Sequence, residues 1–277
     1  APIRRATGRP VCVPLQGEDL FLDNLIEPWK SQALDLIRHS VHHVDRFIAV
    51  SDYYRSHMSG YLGIDPDRIE TVRLGITLDG HVPKPHAVVP PYTVGYFARI
   101  APEKGLHLLA EAYRRLRALP GVPETRLVAG GYLLNEHREY LAGVERAMDE
   151  AGLAGHFHYA GAPDRDGKIA LLGSFDVMSV PAPYHEPKGL SLLEAMASGV
   201  PVVQPDHGAF TELVTRTGGG VLVPPGDPDA LAVALRDLLV DRERARAIGD
   251  AGAASVRAHY GVERMAQAAE GVYGDLA

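Results

Sequence analysis

Cysteine, aromatic residues and long apolar runs are all scarce in this sequence of 277 residues. The single cysteine, Cys12, excludes an internal disulfide framework and a cysteine-rich zinc site, and it is typical of a reducing compartment. No apolar run reaches the roughly 18 residues that a membrane span needs. The first ten residues, with three arginines and no apolar core, do not read as a signal peptide. These absences predict a cytoplasmic protein without a transmembrane segment.

The excess of acidic over basic residues is also small. Lysine and arginine number 28 against 35 aspartates and glutamates, so the formal net charge is −7. A general nucleic-acid binder needs a basic surface that displaces counterions, so we exclude that class and keep a local basic pocket open. Hydrophobic residues at 46% and charged residues at 23% are typical of a globular protein, and the length corresponds to one large or two modest domains.

Short apolar runs alternate with longer amphipathic runs after residue 90, and this alternation predicts a parallel sheet covered by helices. The predicted strands are 92–99, 125–129, 156–160, 176–181, 201–204 and 220–223. Two helices are predicted to begin at Pro102-Glu103 and at Asp227-Pro228. Four more are predicted over about 136–151, 166–174, 189–198 and 210–214. We therefore expect a Rossmann-like α/β domain over residues 92–260.

The first 82 residues carry a weaker α/β pattern. Strands are predicted at 11–15, 45–50 and 72–74, and helices at about 28–41 and 51–62, the latter capped by Ser51. This amounts to about half of a second domain, over residues 1–82. Four prolines within 83–91 predict a linker between the domains, and helical spacing predicts a separate final helix within 261–277.

The most informative segment runs from Glu186 to Glu194 and continues as Ala-Met-Ala-Ser-Gly-Val-Pro. It follows a predicted strand and opens a predicted helix, where the unpaired amides of Gly189, Leu190 and Ser191 would bind a phosphate. Two carboxylates beside a phosphate site indicate a sugar nucleotide, because carboxylates accept hydrogen bonds from sugar hydroxyls. The alternative is that one glutamate stabilises the helix dipole and the other forms an ordinary surface pair.

Arg99 and Lys104 form a basic pair between the end of one predicted strand and the start of the next helix. The ends of parallel strands line the ligand crevice of open α/β sheets, so these two cations could hold a diphosphate. Each charge-assisted hydrogen bond would contribute about 1.5–3 kcal/mol. The alternative is that Lys104 pairs with Glu103 or Glu111 in solvent.

Together these segments resemble the family-four glycosyltransferases of the GT-B fold, the "glycosyl transferases group 1" type. The other matching segments are Gln16–Asp19, Phe47–Ser51, Val72–Gly75, Gly95–Gly105, Leu127–Gly131 and Gly220–Asp229. The resemblance implies two Rossmann-like α/β domains with parallel sheets. The N-terminal domain would be incomplete, because the family's first strand and glycine-rich loop have no counterpart. The chain also opens with Ala1 rather than Met, so we expect a longer protein.

The resemblance further implies a retaining transfer of a hexose-type sugar from a UDP- or GDP-linked donor, without a metal or another cofactor. Arg99 and Lys104 would neutralise the departing diphosphate, while Glu186 binds the donor sugar. Glu194 would bind the ribose hydroxyls. The nucleotide base would be bordered by Gly161, Pro163 and Lys168. The final helix would cross back onto the N-terminal domain.

The acceptor side is the part of the family pattern from which this chain departs most. The residues that could contact the acceptor or its sugar are Gln16, Glu18 and Asp19. Many relatives carry histidine where Gln16 stands, and glutamine can bind a hydroxyl group but cannot act as an acid or base. The acceptor itself stays open between a sugar, a lipid and a small molecule. A lipid acceptor would add contact with the inner face of the membrane.

Three Asp-x-Asp pairs, which begin at Asp65, Asp164 and Asp227, are interpreted as helix caps and not as metal ligands. Two rival functions stay open beside the transferase. One is another enzyme of the same fold, a sugar-nucleotide epimerase or a phosphorylase. The other is a non-catalytic, donor-binding half of a split transferase.

Overall fold

The computed structural model describes residues 2–83 and 89–276. The described chain divides into two compact units, each built from separate stretches of sequence. Unit 1 contains the residues up to Gly75, the segment Glu186–Lys188 and the residues from Tyr260 onward. Unit 2 contains the described residues of Ile76–His185 and Gly189–His259. The predicted domain bounds remain a prediction, and most of the predicted linker falls on residues 84–88, outside the described part.

Unit 1 is built around a three-stranded parallel sheet in the order β1-β2-β3. Its strands are β1 (Cys12–Leu15), β2 (Arg46–Ala49) and β3 (Ile69–Thr71). The helices that precede or follow these strands are α1 (Pro2–Thr7), α2 (Glu18–Asp23), α3 (Trp29–Ser40) and α4 (Asp52–Leu62). Phe47 and Ile69 pair across β2 and β3, and both side chains are buried in one hydrophobic core.

Helix α4 confirms the prediction made for residues 51–62, including its cap. Ser51 has an extended backbone, and its Oγ accepts a hydrogen bond from the Tyr54 amide at 3.1 Å. Tyr54, Met58 and Leu62 recur every four residues and are all buried, so this face of the helix belongs to the core of unit 1.

The predicted strand over 72–74 is wrong, because the third strand lies earlier, at Ile69–Thr71. A 3₁₀ turn ends at Arg68 and brings Ile69 directly opposite Phe47 in the neighbouring strand. The predicted segment Val72–Leu74 therefore follows the third strand. Helices α1 and α2 were missed because each has only six residues, too few to show a helical repeat.

Unit 2 contains a six-stranded parallel sheet in the order β6-β5-β4-β7-β8-β9. The strands are β4 (Tyr92–Phe97), β5 (Thr125–Gly130), β6 (Phe157–Tyr159), β7 (Val177–Met178), β8 (Val202–Pro205) and β9 (Gly220–Val223). The helices are α5 (Leu106–Ala118), α6 (Arg138–Glu150), α7 (Arg165–Leu172), α8 (Leu190–Ala197), α9 (Gly208–Thr217), α10 (Pro228–Val240) and α11 (Arg242–His259). The strand–helix alternation predicted for this region is thereby confirmed.

The strand order reverses between β4 and β7. From β4 the chain adds β5 and β6 on one side, and it then returns to add β7, β8 and β9 on the other side. In open parallel sheets such a reversal leaves a crevice at the carboxyl ends of the two central strands, where ligands bind. The fold therefore directs attention to the loops that follow β4 and β7.

Two elements of unit 2 differ from the prediction. The strand predicted at 176–181 contains only Val177–Met178, because the chain turns away after Ser179 donates its amide to Gly95. Helix α11 was not predicted. Its buried face consists of small residues and one valine: Ala245, Gly249, Gly252, Ala253 and Val256. The helical repeat of large apolar residues is therefore weak in this part of the sequence.

The last helix, α12 (Val262–Gly274), confirms the helical spacing predicted near the end of the chain, and it belongs to unit 1. Gly75 packs against its first turn so closely that a Cβ atom would lie 2.5 Å from the Gly261 oxygen. No helix within residues 2–83 and 89–276 has both the length and the apolar character of a membrane span.

Candidate active site

The crevice of unit 2 is bordered by the two segments that follow the central strands. Arg99 comes two residues after β4, and Lys104 ends the 3₁₀ turn that precedes α5. The segment Pro181–His185, here called the β7 loop, comes shortly after β7. Gly105 has a φ of 75°, and a side chain there would overlap the Pro181 carbonyl. Glycine therefore allows the α5 start and the β7 loop to pack directly together.

Tyr184 of the β7 loop holds Lys104. The Lys104 ammonium group donates a hydrogen bond to the Tyr184 hydroxyl, and its nitrogen lies 4.7 Å from the centre of the same ring. These two residues are 80 positions apart, and no pattern in the sequence links them. Sequence reasoning found the lysine and missed the tyrosine that orients it.

Arg99 forms an ion pair with Glu103, and both side chains are more than a third exposed, at 45% and 37%. An exposed pair of this kind contributes about 1 kcal/mol or less, so the guanidinium group can exchange partners at little cost. Glu111, the other carboxylate considered for Lys104, pairs with Arg114 and Arg115.

Helix α8 begins at Gly189, whose φ of 68° is favourable only for glycine. A Cβ atom at this position would lie 2.5 Å from the Leu213 side chain, so the start of α8 packs tightly on α9. The first amides of a helix, here those of Leu190 and Ser191, have no partner within the helix. Leu190 is exposed at this end of the helix, and Gly189 is buried.

Glu194 and Lys168, which sequence analysis had assigned to ribose and base, form an ion pair. Lys168 Nζ lies 2.5 Å from Glu194 Oε1, and both side chains are largely buried. Asp164 caps helix α7 through the Gly167 amide at 2.9 Å and thereby positions Lys168 one turn later. The turn Gly161–Pro163 follows β6 at the same edge of the sheet.

His81 lies behind this ion pair and was not predicted as a site residue. Its Nδ1 is 2.9 Å from the Ser198 hydroxyl, which in turn donates to the Glu194 carbonyl at 3.1 Å. Burial lowers the pKa of His81, against the opposing effect of Glu194. Arg257 also donates to the His81 carbonyl, so the segment before residue 84 is fastened to α8 and α11.

Glu186 lies in unit 1 and is buried, at 8% exposure. Its Oε1 accepts a hydrogen bond from the Lys188 amide at 3.3 Å. Ser51 donates its hydroxyl to the Pro187 carbonyl at 3.1 Å, so the cap of α4 also fixes this short segment. The role of Glu186 at the donor sugar stays a prediction.

The predicted acceptor contacts lie together after β1 in unit 1. Gln16 is exposed, and its backbone amide donates a hydrogen bond to the Glu18 carboxylate at 2.8 Å. Asp19 is buried, and it accepts hydrogen bonds from Tyr54 at 2.7 Å and His57 at 3.1 Å. Asp19 is thus engaged within unit 1, and the contact of all three residues with an acceptor stays a prediction.

The three Asp-x-Asp pairs act as caps, as expected. Asp65, Asp164 and Asp227 each accept a hydrogen bond from an amide two or three residues later, at 3.0, 2.9 and 2.9 Å. Among the described residues no three His, Cys, Asp or Glu side chains are grouped as metal ligands would be.

Curated glycosyltransferases are similar to this chain in sequence. The phosphatidyl-myo-inositol mannosyltransferase of Mycobacterium leprae (strain TN) is 37% identical over 221 residues, which are 76% of this chain and 54% of the relative. The lipopolysaccharide core biosynthesis mannosyltransferase LpsB of Rhizobium meliloti (strain 1021) is 32% identical over 187 residues, 66% of this chain and 51% of the relative. The chain therefore spans about half the length of these relatives.

Solved structures share the fold. Sucrose-phosphate synthase from Thermosynechococcus elongatus has a TM-score of 0.83 at 22% identity, covering 99% of this chain and 70% of that chain. Anabaena Alr3699/HepE in complex with UDP and glucose has a TM-score of 0.83 at 20% identity, covering 99% and 74%. These likenesses confirm the predicted GT-B fold with two parallel sheets. The model of the family described as "Glycosyl transferases group 1" matches residues 82–255, more than half of the sequence, and the chain therefore belongs to that family.

Proposed function

We propose that this chain binds a UDP- or GDP-linked sugar in the crevice of unit 2 and transfers its hexose-type sugar to an acceptor with retained anomeric configuration. The observation that carries the proposal is the pairing of two cations after β4 with a helix amino end after β7, the adjacent strand. A diphosphate carries the negative charge that both features attract.

The two cations suit different tasks. Lys104 is held in place by Tyr184, so its charge is preorganised and no side chain has to be ordered when the ligand arrives. Arg99 gives up only an exposed pair with Glu103 when it turns to a phosphate. During the reaction, the bond between the anomeric carbon and the diphosphate oxygen breaks. The negative charge that grows on that oxygen is what these cations and the α8 amides would stabilise.

The nucleoside would occupy the side of the crevice that carries Glu194 and Lys168. Glu194 already forms an ion pair with Lys168. If its carboxylate accepts hydrogen bonds from the ribose hydroxyls, its oxygens must serve both the ribose and Lys168. Lys168 therefore fixes the orientation of Glu194 before the nucleoside binds. The turn Gly161–Pro163 is the proposed border of the base.

The reaction forms a bond from the acceptor oxygen to the anomeric carbon, and the acceptor loses a proton. In this proposal the diphosphate accepts that proton. Arg99, Lys104 and the α8 amides neutralise the charge of the leaving group, so the proposed chemistry needs no metal. Gln16 cannot accept it, because an amide side chain does not titrate. The contact of Gln16, Glu18 and Asp19 with the acceptor is part of this proposal.

The names of the relatives support a sugar-nucleotide donor. One relative is a GDP-mannose-dependent mannosyltransferase of Mycolicibacterium smegmatis, 30% identical over 266 residues, 90% of this chain and 66% of that protein. The structure of HepE contains UDP and glucose. We propose a mannosyl or glucosyl donor on this basis, and a sugar, lipid or small molecule as the acceptor. Action in the cytoplasm, with membrane contact for a lipid acceptor, stays a prediction.

Calorimetry with UDP and GDP tests donor binding directly. We expect one of the two to bind, with an affinity that falls in Lys104→Met and Glu194→Ala. Incubation with UDP- and GDP-linked sugars should then release the nucleoside diphosphate, and nuclear magnetic resonance of the product should show the retained configuration. Activity that survives extensive chelation of divalent cations would support the absence of a metal. If neither nucleotide binds, the proposal fails.

Two rival functions have distinct outcomes in the same assays. An epimerase would change the donor sugar without releasing the nucleoside diphosphate, and a phosphorylase would require inorganic phosphate. The second rival is a non-catalytic, donor-binding half of a split transferase. It would bind the nucleotide and show turnover only when a second polypeptide is added.

A further inference from the structure

The conformation of the β7 loop decides where the Lys104 ammonium group lies, because Tyr184 of this loop binds that group. A residue in the connection between β8 and α9 holds the β7 loop in place. His207 stands between β8 and α9, and its Nε2 lies 3.1 Å from the Ala182 carbonyl oxygen. A single histidine of one connection thus reaches the loop that carries the partner of Lys104.

His207 contacts the β7 loop a second time, on the other side of Tyr184. Its ring centre lies 4.8 Å from that of His185, and the two rings are inclined by 63° in an edge-on arrangement. His207 is buried, at 9% exposure, and Phe210 of α9 also faces its ring. The loop is therefore held at residues before and after Tyr184.

The geometry fixes the protonation of His207. A carbonyl oxygen only accepts hydrogen bonds, so Nε2 carries the hydrogen and donates it. Nδ1 is then the unprotonated nitrogen, and within the described residues this buried atom has no hydrogen-bond partner. A second proton would create a buried N–H group without an acceptor.

The charged and titratable groups around His207 act in opposite directions. Burial and then the neighbouring His185 lower its pKa, whereas the hydrogen bond to Ala182 and the Asp206 carboxylate raise it. The lowering of the pKa prevails, so burial opposes the addition of a second proton at Nδ1. Asp206 is itself engaged by the Thr211 hydroxyl at 2.7 Å.

We propose that His207 is a positioning residue of the donor phosphate site: its Nε2–H fastens the β7 loop and so holds Tyr184, and through it Lys104, where the diphosphate binds. This inference rests on the proposed function. His207 does not touch the reacting atoms, and its effect on the ligand passes through the loop.

The test is calorimetry with UDP and GDP on the full chain. At pH 7.5, His207→Ala should weaken binding about tenfold, the value of one lost hydrogen bond. His207→Gln should stay within about twofold of the original protein, because its side-chain amide can still donate to Ala182. The matched control is His156→Ala. His156 bonds the Thr125 carbonyl at 2.9 Å at the amino end of the sheet strands, and its loss should leave the affinity unchanged.

Two further measurements separate positioning from a general loss of structure. If His207 acts through Lys104, then His207→Ala should cost less than about twofold in a Lys104→Met background. His207→Phe keeps an aromatic ring but cannot donate to Ala182, so it should weaken nucleotide binding about as much as His207→Ala. If His207→Ala does not fold, the comparison of His207→Phe with His207→Gln decides.

The outcomes are distinct. If the original protein binds neither UDP nor GDP, the proposed function fails. If it binds one of them and His207→Ala binds equally well, or His207→Phe binds as well as His207→Gln, the positioning role is overturned and the donor site stands. An additive loss in the Lys104→Met background also overturns it.

Discussion

Asp19 in unit 1 and Lys104 in unit 2 occupy comparable places, each a few residues beyond the carboxyl end of a parallel strand. Asp19 is buried, and both of its carboxylate oxygens are engaged by Tyr54 and His57. Lys104 is held on one side by Tyr184, in a loop at the switch point of the sheet. Asp19 is engaged within unit 1, whereas Lys104 is the residue proposed to meet the diphosphate.

The difference shows why position at a strand end does not by itself identify a binding residue. A buried charge that accepts hydrogen bonds within its own unit, as Asp19 does, contributes to stability, since removing it takes an acceptor away from those donors. A charge that is oriented but still accessible can stabilise a ligand at little cost. Four variants test this contrast, ordered here from the largest expected effect to the smallest.

Asp19→Ala should destabilise unit 1 by about 3 kcal/mol, because His57 loses its acceptor and the Tyr54 hydroxyl keeps only its longer hydrogen bond to Glu18, at 3.2 Å. The only tryptophan, Trp29, lies in helix α3 of this unit, so its fluorescence during urea unfolding reports on unit 1. Asp23→Ala is the matched control: Asp23 accepts hydrogen bonds from Lys30 and Tyr61, but its side chain is 53% exposed, so water can replace it and the cost should be less than about 1 kcal/mol. An equal cost for both variants would break the comparison.

Lys104→Met should weaken the binding of UDP or GDP about thirtyfold, close to 2 kcal/mol, and should leave the unfolding of unit 2 nearly unchanged. Calorimetry and a thermal melt measure the two quantities on the same sample. Arg146→Met removes an exposed cation of the same unit, paired with Glu139, and serves as the control. A large loss of stability without a loss of affinity would assign Lys104 to structure.

Tyr184→Phe should weaken nucleotide binding about threefold, because it removes the hydrogen bond to Lys104 and keeps the ring beneath the ammonium group. Tyr184→Ala removes both contacts and should cost more. Tyr132→Phe, at a tyrosine that is 61% exposed, should have no effect on the affinity. Equal affinities for Tyr184→Phe and Tyr184→Ala would mean that the ring contributes nothing.

His81→Asn should reduce the acid sensitivity of unit 2 by about 2 °C or less in melting temperature. Burial lowers the pKa of His81 below its usual value of 6.5, so the unfolded chain binds more protons in acid. The stabilising contribution is complete above pH 6.5 and is lost as the pH falls through the folded-state pKa. Melts from pH 7 to pH 5 measure the slope, and an unchanged slope in His81→Asn would contradict this account.

Most strands and helices of unit 2 could be predicted from the sequence because strong local signals coincide there. Asp227 and the following proline mark the start of α10, and alternating apolar runs mark the strands. Helix α11 escaped because small residues form its buried face, and α1 and α2 escaped because they are short. The misplaced third strand of unit 1 depended on where a 3₁₀ turn ended, which composition does not specify.

The candidate site divides in the same way. Lys104, Arg99 and the start of α8 follow strands, so chain order alone brings them to one edge of the sheet. Tyr184 and His207 lie in segments that carry no recognisable pattern, and their contacts join residues 80 and 25 positions apart. Such contacts depend on how two loops fold against each other, and no local rule of sequence determines that.

The chain passes between its units at residues 75/76, 185/186, 188/189 and 259/260. Neither unit is therefore a continuous piece of sequence. A single cut or a single fusion point cannot isolate either one, and a chimaera that exchanges unit 2 between relatives would also exchange Glu186–Lys188, which belong to unit 1. Properties of unit 2 are consequently better exchanged between relatives by point substitutions than by transplanting the unit as a cassette.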